Sequence, residues 1–141
     1  MKKASITIAM LFAVNVYAQK IDASKVPAEV KKAFAANFRG VGNPKWEMEG
    51  SNYEAGFRQN NKSMSALFDA QGKLVETETG IKTNELPAAV KEYVSKNYAG
   101  QSIAEAAIIK KPSGEINYEA EVNGEDLLFD KQSKFIKAVK D

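Results

Sequence analysis

The 141-residue sequence contains no cysteine and no histidine, and these two absences exclude much of the chemistry of protein sites. Without cysteine there is no disulfide, no thiolate nucleophile and no cysteine-ligated zinc or iron–sulfur site. Without histidine the commonest general base and the Ser-His-Asp triad are missing. Hydrophobic residues nevertheless make up 44% of the chain, which is ordinary for a globular domain. We therefore expect a folded protein that is not an enzyme and carries no cofactor.

The first 18 residues have the pattern of an export signal. A basic start, Met1-Lys2-Lys3, precedes a mostly apolar run of about 13 residues, and Val16-Tyr17-Ala18 then offers the small residues that a signal peptidase reads. The run is shorter than the roughly 20 residues needed to span a bilayer. We predict a signal peptide over residues 1–18 that is cleaved between Ala18 and Gln19. The protein is then periplasmic or secreted, with no membrane insertion after cleavage.

The remaining chain is electrically balanced. The sequence has 20 basic and 18 acidic residues, and removal of Lys2 and Lys3 makes the two numbers equal. No basic stripe of the kind that contacts nucleic-acid phosphates is visible. We expect a protein partner and no nucleic acid.

After the signal, the sequence repeats itself at a spacing of about 60 residues. The matching segments, in the same order, are Val26–Lys31 with Leu86–Lys91, Tyr53–Ala55 with Tyr118–Ala120, and Leu67–Asp69 with Leu128–Asp130. We predict two units, residues 19–80 and 81–141, that together form one compact domain.

Each unit opens with a helical pattern, in which an apolar residue recurs at every fourth position. These residues are Val26, Val30, Phe34 and Phe38 in the first unit and Leu86, Val90, Val94 and Tyr98 in the second. Pro27 and Pro87 fit the first helical position, where the missing N–H costs nothing.

After each helix the apolar period falls to two, which predicts four strands in each unit. They are Lys45–Glu49, Tyr53–Gln59, Ser63–Asp69 and Lys73–Thr79, then Ile103–Lys111, Ile116–Val122, Glu125–Asp130 and Lys134–Val139. Asn123-Gly124 is a strong hairpin signal between two of them. The predicted fold class is α+β, a tandem repeat of one helix followed by a four-stranded antiparallel meander, with the helices packed on one face of the sheet.

This arrangement resembles a known family. A signal peptide, two units opened by Val/Leu-Pro-x-x-Val-Lys helices, and strands marked Tyr-Glu-Ala and Leu-Phe-Asp are similar to the PepSY-like periplasmic proteins of Bacteroidetes, whose fold resembles the β-lactamase inhibitor protein. The resemblance extends from about Val26 to Lys137. It implies an envelope protein that inhibits or modulates an envelope hydrolase. The β-lactamase inhibitor has disulfides and longer loops than this sequence, so no binding residue is carried over from it.

The sheet face turned away from the helices is the candidate partner-binding surface. Its polar residues are predicted to be Glu47, Glu49, Glu54, Arg58, Glu119 and Glu121. Leu67, Leu128 and Ile136 fall on the same side, and a mixture of apolar and charged groups is common at interfaces. A sheet face that only meets water produces the same alternation.

The alternative function is a periplasmic sensor that responds to a small ligand or to calcium. Asp69 and Asp130 begin equivalent turns and offer carboxylate oxygens. Asp at such a position ordinarily accepts hydrogen bonds from the backbone of its own turn. Neither turn has the alternating oxygen ligands of an EF-hand loop.

Overall fold

The computed structural model describes residues 18–140, which form two helices, two single-turn 3₁₀ helices and nine strands. Helix α1 is Ala28–Asn37 and helix α2 is Ala88–Asn97, each preceded by a 3₁₀ turn at Ala23–Lys25 or Thr83–Glu85. The strands are β1 (Gln19–Ile21), β2 (Lys45–Glu49), β3 (Asn52–Gln59), β4 (Lys62–Phe68), β5 (Leu74–Ile81), β6 (Ile103–Lys110), β7 (Ile116–Val122), β8 (Glu125–Asp130) and β9 (Phe135–Lys140). The predicted signal peptide lies outside the described residues except for Ala18.

All nine strands belong to one antiparallel sheet, in which their order is the order of the chain. The predicted fold class is therefore wrong. The chain is mostly β, and it is not a tandem repeat of a helix and a four-stranded meander. The helices and the strands predicted from periodicity are present, but they are organised differently.

Strand pairing explains the error, because periodicity locates strands without showing which backbone edges meet. Residues Thr77–Ile81 of β5 pair with Ala106–Lys110 of β6. Strand β5, which the predicted tandem repeat makes the last strand of the first unit, is therefore hydrogen-bonded to the first strand of the second unit. Strand β1 pairs with β2 and adds a ninth strand at the start of the sheet. Three residues are too few for an alternating pattern to reveal such a strand.

Helix α1 covers the first hydrophobic core. Val30 and Phe34 of the helix, with Val26 before it and Phe38 after it, are each at most 9% exposed, which confirms the predicted stripe. Phe34 is at the centre of the core, with ring centroids 5.2 Å from Phe57 and 5.7 Å from Trp46 in edge-on contacts. Pro27 is the residue immediately before the helix rather than its first residue.

Helix α2 covers a second core on the same face of the sheet. Leu86, Val90 and Val94 are buried against Leu127 and Phe129, and Tyr98 packs against them partly buried. The ring of Tyr93 lies edge-on to Phe129 at 5.3 Å and stacks on Phe135 at 4.9 Å. Because both helices pack on one face, the other face of the sheet is left without a covering layer in the described part of the chain.

The turn between β4 and β5 docks against helix α1. Its Gly72 has φ +82°, and a Cβ atom built there would lie 2.7 Å from the carbonyl oxygen of Glu29. The Asp69 side chain accepts hydrogen bonds from the N–H groups of Gln71 and Lys73, at 3.0 and 2.9 Å, and so stabilises the turn. Glycine is thus required at this position for both conformation and space.

Candidate functional site

The uncovered face of the sheet contains a cavity near its centre. Successive side chains of a strand point to opposite faces, so residues between the core positions lie on this face. Gly56, Gly80 and Ala107 are small residues among long side chains, and around them a cavity of about 300 Å³ remains, which we call the acidic groove. Its lining residues are Lys45, Glu47, Glu54, Gly56, Ser63, Met64, Ser65, Glu78, Gly80, Glu105, Ala106, Ala107 and Glu119.

The structure brings some of the predicted site residues into this groove and leaves others outside. Glu47, Glu54 and Glu119 line it. Glu49 lies at the end of β2, outside the lining of the groove, and Glu121 follows on β7 two residues beyond Glu119. Arg58 is exposed, and its guanidinium donates a hydrogen bond to the carbonyl of Asn61 at 3.0 Å across the β3–β4 turn.

Sequence reasoning missed three charged lining residues, Lys45, Glu78 and Glu105. Glu78 is the most informative, because it lies on β5, the middle strand of the nine. Strand β5 carries glutamates at 76 and 78 on one face and threonines at 77 and 79 on the other, so no apolar side distinguishes its faces. The alternation Glu76-Thr77-Glu78 was the signal in the sequence that could have placed Glu78 on the same polar face as Glu47 and Glu54.

Glutamates and aspartates face one another directly across neighbouring strands of this surface. Glu47 pairs with Glu54, Glu105 pairs with Glu121, and Glu121 pairs with Asp126. Like charges directly opposite each other destabilise a sheet. The arrangement therefore works against the stability of the free protein and concentrates negative potential along one surface.

Glu78 is partly buried in the acidic groove, next to Ser65 of β4 and Ile109 of β6. Burial, together with the negative charges of Glu54, Asp126, Glu76 and Glu49, raises the pKa of its carboxyl to about 7, and burial is the largest cause. A carboxyl of this kind gains or loses a proton near neutral pH. The groove can thus change its charge under mild conditions.

Glu49 shows that the two ends of the sheet influence one another electrostatically. Partial removal from water raises the pKa of its carboxyl, and the charges of Glu54 and Glu76 act in the same direction. Lys137 of β9 lowers that pKa, although β9 is at the far edge of the sheet from β2. The charge of Lys137 therefore reaches the carboxyl of Glu49 across this face.

The pKa of Glu78 predicts how stability changes with pH. The folded chain keeps this proton up to about pH 7, whereas an ordinary Glu loses it near 4.5, so the free energy of unfolding falls as the pH rises through this window. Gln stays uncharged, and we expect Glu78→Gln to stabilise the protein by about 2–3 kcal/mol at pH 8 and hardly at all at pH 4.

Urea denaturation at the two pH values measures this difference. Glu105→Gln is the matched control, because it removes the same charge from an exposed position of the same groove. If Glu78→Gln increases the free energy of unfolding equally at pH 4 and pH 8, the raised pKa of Glu78 is contradicted.

The two turns considered for calcium use their carboxylates within the turn. Besides the Asp69 contacts given above, Asp130 accepts hydrogen bonds from the N–H groups of Gln132 and Lys134, both at 2.9 Å. Within residues 18–140, acidic side chains do not come together in a group of three or more that could hold a metal ion. Neither helix of this stretch has the length and hydropathy needed to cross a bilayer.

Comparison with protein families gives one match. The model of the family described as "Putative beta-lactamase-inhibitor-like, PepSY-like" matches residues 51–137, more than half of the chain. The match includes the strands that carry Glu54, Glu78 and Glu119. No curated protein sequence matches the chain.

Solved structures from Bacteroides share the fold. A DUF2874 family protein from Bacteroides uniformis has a TM-score of 0.69 at 23% identity, covering 79% of this chain and 87% of its own. A protein from Bacteroides eggerthii described as "putative periplasmic proteins" has a TM-score of 0.70 at 16% identity, with 80% and 87% covered. A BLIP-like protein from Bacteroides fragilis has a TM-score of 0.58 at 23% identity, with 79% and 84% covered.

Proposed function

The chain belongs to the PepSY-like family of β-lactamase-inhibitor-like proteins, and from this membership we propose that it is an exported, non-enzymatic binding protein of the bacterial envelope. It holds a basic segment of a protein partner in the acidic groove and thereby inhibits or modulates an envelope hydrolase. The observation that carries the proposal is the set of like-charged residues that face each other on the uncovered face, in the groove at Glu47–Glu54 and next to it at Glu105–Glu121 and Glu121–Asp126.

Electrostatics favour a cationic occupant. The opposed Glu47–Glu54 pair in the groove is unfavourable in the free protein, and a lysine or arginine placed between the two carboxylates replaces repulsion with attraction. Complementary charge of this kind increases association rates and excludes wrong partners. A surface that only met water would gain nothing from concentrating acids in this way.

The size and lining of the groove favour side chains of a macromolecule over a free small ligand. A cavity of about 300 Å³ is at the lower limit of pockets that enclose small molecules, and such pockets are mainly hydrophobic. This groove is instead lined by six charged side chains, five of them acidic, besides two serines, and it opens on the uncovered sheet face. Long basic side chains that project from a partner surface fit it better.

The proposed location and partner class have separate supports. A periplasmic location is supported by the export signal predicted over residues 1–18 and by the periplasmic description of the Bacteroides eggerthii structure. The BLIP-like description of the Bacteroides fragilis structure supports inhibition of a hydrolase. Both supports are independent of the charge argument.

Affinity capture from envelope extract tests the proposal, with the purified protein immobilised and the retained proteins identified by mass spectrometry. We expect Glu54→Lys and Glu121→Lys to weaken retention of the partner at least tenfold without unfolding the protein. Glu92→Lys is the control, because Glu92 is an exposed residue of α2 on the opposite side of the sheet.

Equal retention by all variants would show that the partner binds elsewhere. If the captured protein is a hydrolase, its activity is then measured with increasing amounts of wild type and of Glu54→Lys. A partner that keeps full activity when saturated would contradict inhibition while leaving binding intact.

A further inference from the structure

Glu78 occupies a singular position in the acidic groove. It lies on the fifth of nine strands, its neighbours in the pairing are Ser65 and Ile109, and it faces the cavity left around Gly56 and Gly80. An occupant of the cavity must therefore contact this carboxyl or come close to it.

Charged groups of six of the nine strands lie around Glu78. The charges that act on its carboxyl are those of Glu49 of β2, Glu54 of β3, Glu76 of β5 and Asp126 of β8. The same groove is also lined by Lys45 and Glu47 of β2, Glu105 of β6 and Glu119 of β7. All except Lys45 are acidic. Because acidic groups outnumber Lys45 in the groove, the carboxylate form of Glu78 is opposed by its surroundings, and a further positive charge that enters the groove favours it.

We propose that occupation of the groove is coupled to a proton on Glu78: a cationic side chain of the partner enters beside the carboxyl, which releases its proton to solvent. This inference rests on the function proposed above and concerns the regulation of the same site. The step forms an ion pair and breaks the O–H bond of Glu78, and no other reactant is needed. The partner then binds weakly in mildly acidic medium and more tightly in mildly alkaline medium.

The expected size of the pH effect on binding follows from the proton equilibrium of Glu78. With the pKa of Glu78 at about 7 in the free groove, nearly all molecules must release a proton on binding at pH 6 and few must do so at pH 8. The dissociation constant is then about tenfold larger at pH 6 than at pH 8, and it stops changing above pH 8.

A fluorescein-labelled hexalysine peptide is a suitable probe, since lysine keeps its charge throughout this range. Fluorescence anisotropy at fixed ionic strength gives its dissociation constant at pH 6, 7 and 8. We expect a tenfold change for wild type, a flat profile for Glu78→Gln, and a wild-type slope for Glu92→Gln, because Glu92 is exposed on α2 on the other side of the sheet. A flat wild-type profile, or a tenfold change that persists in Glu78→Gln, would overturn the coupling.

A second measurement on the unaltered protein removes any dependence on how the variants fold. Carbon-13 NMR follows the Glu78 carboxyl during a pH titration without peptide and with saturating peptide, and the midpoint should fall by about two pH units or more when peptide is bound, as the tenfold change in affinity requires. Binding with an unchanged midpoint overturns the coupling and leaves the proposed function standing. Absence of peptide binding at every pH overturns both.

Discussion

Replacement of Phe34 by alanine should cost about 3–5 kcal/mol of unfolding free energy, the range for large aromatic residues removed from packed cores. Phe34 is only 5% exposed, and its ring contacts those of Phe38, Trp46, Phe57 and Phe68. Loss of this ring removes the aromatic contacts that join α1 to three strands and leaves a cavity between them. Urea denaturation at neutral pH measures the change.

Two further substitutions show whether the loss depends on burial. Val94→Ala in α2, where the side chain is 3% exposed, should cost about 1–3 kcal/mol because fewer atoms are removed. Phe135→Ala deletes the same ring from a position that is 38% exposed, and its effect should be much smaller than that of Phe34→Ala. Equal losses at Phe34 and Phe135 would contradict the description of the first core.

Replacement of Gly72 by alanine should destabilise the protein by about 2–5 kcal/mol, from two separate causes. A non-glycine residue at φ +82° is strained, and the added Cβ would approach the Glu29 carbonyl oxygen to 2.7 Å. That oxygen belongs to the backbone of α1, so it cannot turn aside as a flexible side chain does. Either the turn or the helix must move.

Gly114→Ala separates the two causes. Gly114 has φ +91°, but an added Cβ there meets nothing within 4 Å. It should show the conformational cost alone, about 1–2 kcal/mol. If thermal or urea denaturation gives the same loss for both variants, the close approach of the turn to α1 plays no part.

The local features of the fold could be read from the sequence. Strands β2, β7 and β8 have the predicted bounds, and the other predicted strands differ by one or two residues at one or both ends. The stripe of α1 is buried as expected. Helical and strand periods depend on neighbouring residues, so they are visible without knowledge of the rest of the chain.

The features that were missed depend on residues far apart in the sequence. Pairing of β5 with β6 joins segments separated by α2, and no local pattern records it. Glu78 gains its significance from burial and from Glu54 and Asp126, which lie on strands β3 and β8. Glu47, Glu54 and Glu119 could be proposed from alternation alone, because apolar core residues flank each of them and fix its face.

The identity between strand order and chain order has a consequence for folding speed. Six of the eight strand pairings join segments linked by short turns, so the entropy lost in closing them is small. The exceptions are β1 with β2 and β5 with β6, whose connections each contain a helix. A sheet of nine strands would ordinarily have many distant contacts and fold slowly. Here sequence-adjacent hairpins can grow first, and closure over the two helices is the costly step.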